Sequence, residues 1–157
     1  MKYTLCFIVK EDNILMLFRN KEPNKGRWNG VGGKIEPNET PYESCIREVY
    51  EETGLTVVNQ VFRGIISFRG IESICLFVCD EFTGDLIESD EGILEWKSIE
   101  WILHSNHVVP NIPLFIEEIL DFQNEPKIYD CIFTKEGKMT SFQTFSLNKE
   151  RVYTYSN

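Results

Sequence analysis

The chain lacks the features that mark membrane, secreted and multidomain proteins. None of its 157 residues form an apolar run approaching the roughly 20 residues of a membrane span. The first apolar stretch, TLCFIV at residues 4–9, is too short for a secretion signal. There is no internal repeat, linker or low-complexity tract, which favours a single domain over residues 1–157. The sequence therefore predicts a soluble cytoplasmic protein with no membrane partner.

Positive charge is also scarce. The chain has 16 Lys and Arg residues against 25 Asp and Glu residues, which gives a net charge of -9. Proteins that bind DNA or RNA neutralise phosphates with Lys and Arg, so no nucleic-acid polymer is expected as a partner. A small phosphorylated ligand stays possible if a metal ion or a few local cations offset the repulsion.

The five cysteines contain no CxxC pair. Cys75 and Cys79 lie in the apolar run ICLFVC, which favours buried thiols without a ligand role. An odd set of unpaired thiols is typical of a reducing cytoplasm.

Alternating apolar segments predict an α/β fold with mixed strands. The predicted strands form an opening hairpin, a central pair, a shorter strand and a closing hairpin at about 127–147: TLCFIV and ILMLF; VFRGIISF and SICLFVCDEF; EWKSIEWI; KIYDCIFT and MTSFQTFSL. The stretch RNKEPNKGRWNGVGGK at 19–34 is rich in Gly and Asn and is predicted to be a loop. A helix at IPLFIEEILDF is expected to place four residues in the core: Leu114, Phe115, Ile119 and Phe122.

A further helix is predicted directly after this glycine-containing loop. Thr40 fits the N-cap, Pro41 fits the first helical position, and Glu43 completes a capping box. Gly54 is expected to end the helix.

Three acidic residues, Glu48, Glu51 and Glu52, share one face of that helix. Like charges at this spacing cost roughly 0.2–0.5 kcal/mol per pair. The opposite face, predicted to lie on the sheet, consists of Tyr42, Ile46, Val49 and Thr53. A solvated acidic face is one interpretation of the glutamates. The other is a site for Mg²⁺ or Mn²⁺, because no lysine between Lys34 and Lys97 balances them and GVGGK allows close approach of a ligand.

The residues from Gly33 to Leu55 fill every defined position of the pattern G-x5-E-x7-R-E-U-x-E-E-x-G-U, where U is a bulky apolar residue. This segment resembles the Nudix box, and the order of elements around it resembles the α/β/α sandwich of that family. The resemblance implies hydrolysis of a nucleoside diphosphate linked to another group.

The resemblance also implies roles for individual residues. The metal ligands would be Glu48, Glu51, Glu52, the carbonyl of Gly32, and Glu91 in the sequence ESDE, which is otherwise a plain acidic turn. Glu39 would order the site and Arg47 would orient the box glutamates. Glu52 is favoured as the general base, with Glu48 as the rival, since both lie on the metal face.

The segments RWNGVGGK, YTL and ESDE resemble the MutT-type members that hydrolyse oxidised purine nucleoside triphosphates such as 8-oxo-dGTP, with one conservative change in the first. That resemblance implies a purine contact for Asn29, which could instead be a turn residue stabilising its own loop. It also implies that Thr4 and Arg19 line the nucleotide pocket and that Lys34 lies near phosphate.

The second base-reading position departs from the mammalian members, which carry acidic residues there. Here Asn111 follows Pro110, and an asparagine can donate and accept, so a purine contact stays plausible. The alternative is a helix N-cap before Ile112. The tryptophans, Trp28, Trp96 and Trp101, could stack on a base, although core packing is the more common role.

Other activities of the family, and other classes of protein, are disfavoured by residues that this sequence lacks or retains. ADP-ribose members of the family carry a proline some fifteen residues past the box, and dinucleoside polyphosphate members carry a tyrosine there; SFRGIES at 67–73 has neither. A broad nucleoside triphosphatase is the closest rival. A nucleotide-binding module without activity is disfavoured because all box glutamates are present, and a Ca²⁺ buffer because the EF-hand pattern is absent.

Overall fold

The structure, a computed structural model, describes residues 1–147, so residues 148–157 of the predicted domain lie outside the described residues. The strands are β1 (Tyr3–Lys10), β2 (Asn13–Arg19), β3 (Trp28–Asn29), β4 (Val31–Lys34), β5 (Thr56–Val58), β6 (Val61–Phe68), β7 (Glu72–Cys79), β8 (Glu81–Thr83), β9 (Gly92–Ser98), β10 (Lys127–Phe133) and β11 (Met139–Ser146). The helices are α1 (Pro41–Thr53), α2 (Ile99–His104) and α3 (Ile112–Leu120).

The strands of residues 1–147 form a nine-stranded mixed sheet and a two-stranded sheet made of β5 and β8. The large sheet has the order β11-β10-β6-β7-β1-β2-β3, with β4 beside β1 and β9 beside β2. Strand β1 runs parallel to β7 on one side. On its other side it pairs first with β4 and then, at Val9 and Lys10, with β2.

Helices cover both faces of this sheet, as the predicted α/β/α sandwich requires. Successive side chains of a strand point to opposite faces. Leu5 and Phe7 accordingly pack with Phe115 of α3, whereas Cys6 and Ile8 pack with Val49 of α1. The two hydrophobic cores explain why the central strands read as continuous apolar runs.

The predicted start and end of α1 are both confirmed. The Oγ1 atom of Thr40 accepts a hydrogen bond from the Glu43 N–H at 3.1 Å, and Glu43 Oε1 accepts one from the Thr40 N–H at 3.2 Å. Gly54 has a φ of 80°, and its N–H donates to the carbonyl of Tyr50. Both ends of the helix that carries the glutamates are therefore fixed by local contacts.

The prediction for the inner face of α1 is partly wrong. Val49 and Thr53 are buried, but Tyr42 and Ile46 are exposed, and Glu52 lies on the buried side instead. The helix contacts β4, whose glycines leave no Cβ between the two elements. Close approach to this strand turns the acidic face inward.

Two strand boundaries also differ from the prediction. The stretch 19–34 is not only a loop, because it contains β3 and β4. The segment EWKSIEWI is a strand only as far as Ser98, whose hydroxyl accepts from the Trp101 N–H at 3.1 Å and caps α2. A single capping side chain thus replaces the second half of the predicted strand by a helix.

The core contacts predicted for α3 are half correct. Phe115 and Ile119 are buried, whereas Leu114 and Phe122 are exposed. Leu114 lies within the helix on its exposed side, and Phe122 lies beyond the last helical residue, Leu120. Both predicted hairpins are present, β1 with β2 and β10 with β11.

All five cysteines are buried and free. No helix within residues 1–147 is long and apolar enough to cross a membrane.

Replacing Thr40 with Ala should lower the free energy of unfolding by about 1 kcal/mol, because the substitution removes the N-cap acceptor of α1. Urea denaturation followed by circular dichroism measures the change. Thr144→Ala, at an exposed position of β11, is the control and should cost only a few tenths of a kcal/mol. Equal losses in the two variants would contradict the capping role.

Candidate active site

A cavity of about 590 Å³ opens beside β1, β4 and α1. One group of lining residues is charged or small: Thr4, Arg19, Gly32, Gly33, Glu48, Glu52 and Glu91. A second group is largely apolar and includes two amides: Tyr3, Leu5, Ile66, Phe68, Ile74, Val109, Phe133, Asn29 and Asn111. The cavity therefore joins a strongly acidic region to apolar walls.

Arg47 organises the acidic region from outside the cavity. Its Nε and Nη2 atoms donate to the two carboxylate oxygens of Glu39, at 2.7 and 2.9 Å. Its Nη1 atom donates to Glu48 Oε1 at 2.9 Å and to Glu51 Oε2 at 3.2 Å. Nη2 also donates to the carbonyl of Lys34 at 3.0 Å, which ties α1 to the end of β4. Hydrogen bonds from Arg47 lower the pKa of Glu39 to about 2, so that Glu39 stays ionised beside the guanidinium.

Glu52 is the residue that this arrangement leaves with one unpartnered carboxylate oxygen. Its side chain points into the protein, with the residue 9% exposed, and its Oε2 atom is buried without a hydrogen bond among residues 1–147. Burial, reinforced by the nearby charges of Glu48 and Glu91, raises the pKa of Glu52 to about 8. Arg19 and a backbone hydrogen bond with Gly32 act in the opposite direction. Burial also raises the pKa of Glu48.

These residues fit a hard divalent cation. An unpartnered buried carboxylate oxygen beside two further carboxylates is destabilising without a positive charge, and oxygen donors are those that Mg²⁺ prefers. A Cβ at residue 33 would overlap the Glu48 carboxylate, so glycine is needed for this approach. In the described part of the chain no three acidic, His or Cys side chains are already arranged as a metal-binding group.

The Glu91 carboxylate is held by two basic side chains. Arg19 Nη2 lies 3.4 Å from one oxygen, and Lys21 Nζ lies 3.5 Å from the other. Glu91 lies at the cavity wall and also in the turn closed by the Gly92 N–H and the Ser89 carbonyl, so its role as a metal ligand stays a prediction. A cation bound there would compete with Arg19 and Lys21 for the same oxygens.

Besides Arg47 and Glu39, two further predicted residues, Glu51 and Lys34, stay outside the cavity wall. The Glu51 side chain is 56% exposed and contacts Arg47. Lys34 is exposed as well, and its described contact is the hydrogen bond that its carbonyl accepts from Arg47. Both residues contact Arg47 on its solvent-exposed side, away from the cavity.

The other predicted binding residues come together in the cavity wall: Thr4, Arg19, Asn29 and Asn111. The Oδ1 atom of Asn29 accepts from the Gly30 N–H at 2.8 Å, which agrees with the loop-stabilising interpretation. The residue also lines the cavity, and its purine contact stays a prediction. Asn111 occupies the N-cap position of α3, which begins at Ile112 as predicted, but its side chain makes no capping hydrogen bond.

The apolar wall was not predicted from the sequence. Phe68 and Phe133 end the neighbouring parallel strands β6 and β10, where their ring centroids lie 6.1 Å apart. The one available signal was that Phe68 is the last residue, and Phe133 the last but one, of a predicted strand. The tryptophans take the core-packing alternative: Trp28 packs on Phe18 and Trp101, and Trp96 stacks on Phe82.

Comparisons with known proteins agree with this geometry. Residues 2–119 match the family model described as the NUDIX domain. An uncharacterised Nudix hydrolase of Bacillus subtilis, YvcI, is 32% identical over 132 residues, which cover 77% of each chain. The oxidized purine nucleoside triphosphate hydrolase of Danio rerio is 32% identical over 123 residues, covering 73% of this chain and 79% of that protein. The crystal structure of a mutator MutT protein from Bacillus halodurans superposes with a TM-score of 0.79 at 27% identity, covering 90% of this chain and 95% of that one.

The sandwich fold and the acidic cavity define a hydrolase that acts on phosphoric anhydrides. The match over residues 2–119 makes the assignment specific: the chain belongs to the Nudix family and is of the MutT type. Nudix hydrolases act on small nucleotide substrates and generally use divalent cations such as Mg²⁺.

The unusual ionisation of Glu52 predicts a pH-dependent stability of the metal-free protein. Between the ordinary pKa of 4.5 and the folded value of about 8, the folded chain holds a proton that the unfolded chain has released. Stability therefore falls as pH rises through this window. Glu52→Gln should remove that loss. At pH 8 the free energy of unfolding of the variant should exceed that of the wild type by on the order of 2 kcal/mol, and at pH 4.5 the two proteins should differ little.

Urea denaturation in a chelating buffer at the two pH values provides the measurement. Glu125→Gln, at an exposed position remote from the cavity wall, serves as the matched control. A stability difference that is the same at both pH values would rule out the buried, proton-holding state of Glu52.

Proposed function

We propose that this chain hydrolyses oxidised purine nucleoside triphosphates, of the 8-oxo-dGTP type, to the nucleoside monophosphate and pyrophosphate. In the cell this activity would remove damaged precursors from the nucleotide pool of the cytoplasm, before DNA synthesis. The observation that carries the proposal is the cavity that joins the carboxylates of Glu48, Glu52 and Glu91 to apolar walls bearing the amides of Asn29 and Asn111. The name of the Danio rerio relative describes the same substrate class.

The acidic region is the proposed phosphate end. Glu48, Glu52, Glu91 and the carbonyl of Gly32 would hold Mg²⁺, or Mn²⁺ in its place, with Glu51 as an outer ligand. Such a cation offsets the charge of the triphosphate and makes a neighbouring water more acidic. Arg19, next to Glu91, supplies a positive charge from the protein itself.

Glu52 is the better candidate for the general base. The Oε1 atom of Glu48 already accepts a hydrogen bond from Arg47, which favours its ionised form and reduces its ability to take a proton. The Oε2 atom of Glu52 has no such competitor among the described residues. Glu52 would accept the proton of the attacking water, while Arg47 and Glu39 keep α1 in position.

The apolar walls form the proposed base end. A cavity of about 590 Å³ is within the range of nucleotide-sized sites. Phe68, Phe133 and Ile74 provide flat or apolar surface for a purine ring, and Asn29 and Asn111 provide the polar contacts. Thr4, whose hydroxyl lies 3.4 Å from that of Ser44, lines the wall between the two regions.

A broad nucleoside triphosphate pyrophosphatase is the second candidate. The amide of Asn111 favours it, because this residue stands where the mammalian members carry acidic residues and an amide can serve several bases. A nucleotide-binding module without turnover is the remaining alternative.

The decisive experiment is a turnover panel of oxidised and ordinary purine and pyrimidine nucleoside triphosphates and ADP-ribose, with Mg²⁺. Pyrophosphate release should be fastest for the oxidised purines. Glu52→Gln should lower kcat by roughly 10²–10⁴-fold without unfolding the protein, whereas Glu125→Gln should match the wild type. Equal rates on all nucleotides would favour the broad enzyme, and binding without turnover would favour the module.

A second prediction separates the two roles of Asn29. Asn29→Asp keeps an acceptor for the Gly30 N–H but loses the amide donors, whereas Asn29→Ala loses both. If the donors read the base, both variants should raise KM for purines by about tenfold relative to pyrimidines. Recovery of the wild-type purine to pyrimidine ratio in the Asp variant would mean that Asn29 only shapes its loop.

A further inference from the structure

The two amides in the cavity wall have defined orientations. The backbone N–H of Gly30 can only donate, so the group that receives it at 2.8 Å must be the amide oxygen of Asn29. The NH₂ group of Asn29 has no partner within residues 1–147 that would compete with a ligand. At this position the cavity offers donors.

Asn111 is oriented by a residue of a different element. The side chain is buried, with the residue 3% exposed, and its Nδ2 atom lies 3.5 Å from the sulfur of Cys131 on β10. The Cys131 thiol is directed at the carbonyl of Tyr129, 3.9 Å from the sulfur. Because the thiol hydrogen of Cys131 points at that carbonyl, the sulfur acts as the acceptor of the hydrogen bond from the Asn111 amide nitrogen.

The thiol is suited to this role because it remains neutral. Cys131 is fully buried, and burial raises the pKa of its thiol. A neutral thiol that donates to a backbone carbonyl holds the asparagine in one orientation, in which Oδ1 is the group left for a ligand.

We propose that Cys131 is a positioning residue for base selection: it fixes Asn111 as an acceptor opposite the donors of Asn29. The inference rests on the proposed function and deepens it, since it names the feature of the base that is read. Exchanging a 6-oxo for a 6-amino group reverses donor and acceptor on the same purine edge. A cavity wall whose donors and acceptors are fixed can form hydrogen bonds with only one of these two kinds of purine. With the other kind, buried polar groups stay unpaired. The class selected here is the 6-oxo purines.

Three variants test the role of the thiol. Cys131→Ala removes the contact to Asn111 and frees its amide to turn. Cys131→Ser keeps a group that can donate to Tyr129 and accept from Asn111. Cys75→Ala removes a comparably buried thiol that lies in the other core, on the α1 side of the sheet.

The measurement is the ratio of kcat/KM for dGTP to kcat/KM for dATP, with Mg²⁺. Cys131→Ala should lower this ratio about tenfold, mainly through KM, whereas the Ser variant and Cys75→Ala should keep it within about twofold of the wild type. An unchanged ratio in Cys131→Ala, or the same change in Cys75→Ala, would overturn the proposal. A fall in kcat with a constant ratio would overturn it as well, because that result reports only a structural defect.

Calorimetric binding of dGMP and dAMP to the same proteins, without metal, separates this inference from the proposed function. A wild-type protein that turns over neither triphosphate, but prefers dGMP in a way that Cys131→Ala abolishes, would support the positioning role and refute the proposed hydrolysis. Normal turnover with no preference in either assay would leave the hydrolysis standing and overturn the positioning role. Binding of neither nucleotide would overturn it too.

Discussion

Mutual repulsion of carboxylates inside one cavity is the constraint on which this structure depends. Glu48, Glu52 and Glu91 line the same partly buried space, where the charges of Glu48 and Glu91 oppose the ionisation of Glu52. Arg47 holds one of the three from behind, and Arg19 and Lys21 hold another. Within residues 1–147, the Oε2 atom of Glu52 is the side-chain oxygen that is both buried and without a hydrogen bond, which is why we propose Glu52 for proton transfer.

The backbone around the cavity accommodates this arrangement. The glycines of β4 let α1 lie against the strand so closely that a methyl group at residue 33 would overlap Glu48. The capping box at Thr40 and the left-handed Gly54 fix where that helix begins and ends. The register of the glutamates relative to the cavity therefore follows from local contacts at both helix ends and from the absence of a side chain at Gly33.

Features set by neighbours in sequence were predictable. The caps of α1, both hairpins and the box that contains Arg47 and the glutamates depend on residues a few positions apart, and all were found where the pattern placed them. Features set by distant segments were not. The rotation that exposes Tyr42 and Ile46 depends on β4, and the pairing of Phe68 with Phe133 depends on two strands that lie next to each other only in the folded sheet. The orientation of Asn111 by Cys131 is of the same kind.

The two basic partners of Glu91 differ in their access to water. The side chain of Lys21 is 55% exposed, whereas that of Arg19 is 16% exposed. Mobile ions screen charges in contact with bulk solvent far more than sheltered ones. Rising ionic strength will therefore weaken the Lys21 contact first and leave Arg19 as the lasting counter-charge. An enzyme of net charge -9 thus keeps one cationic contact in its cavity that the salt content of its surroundings barely alters.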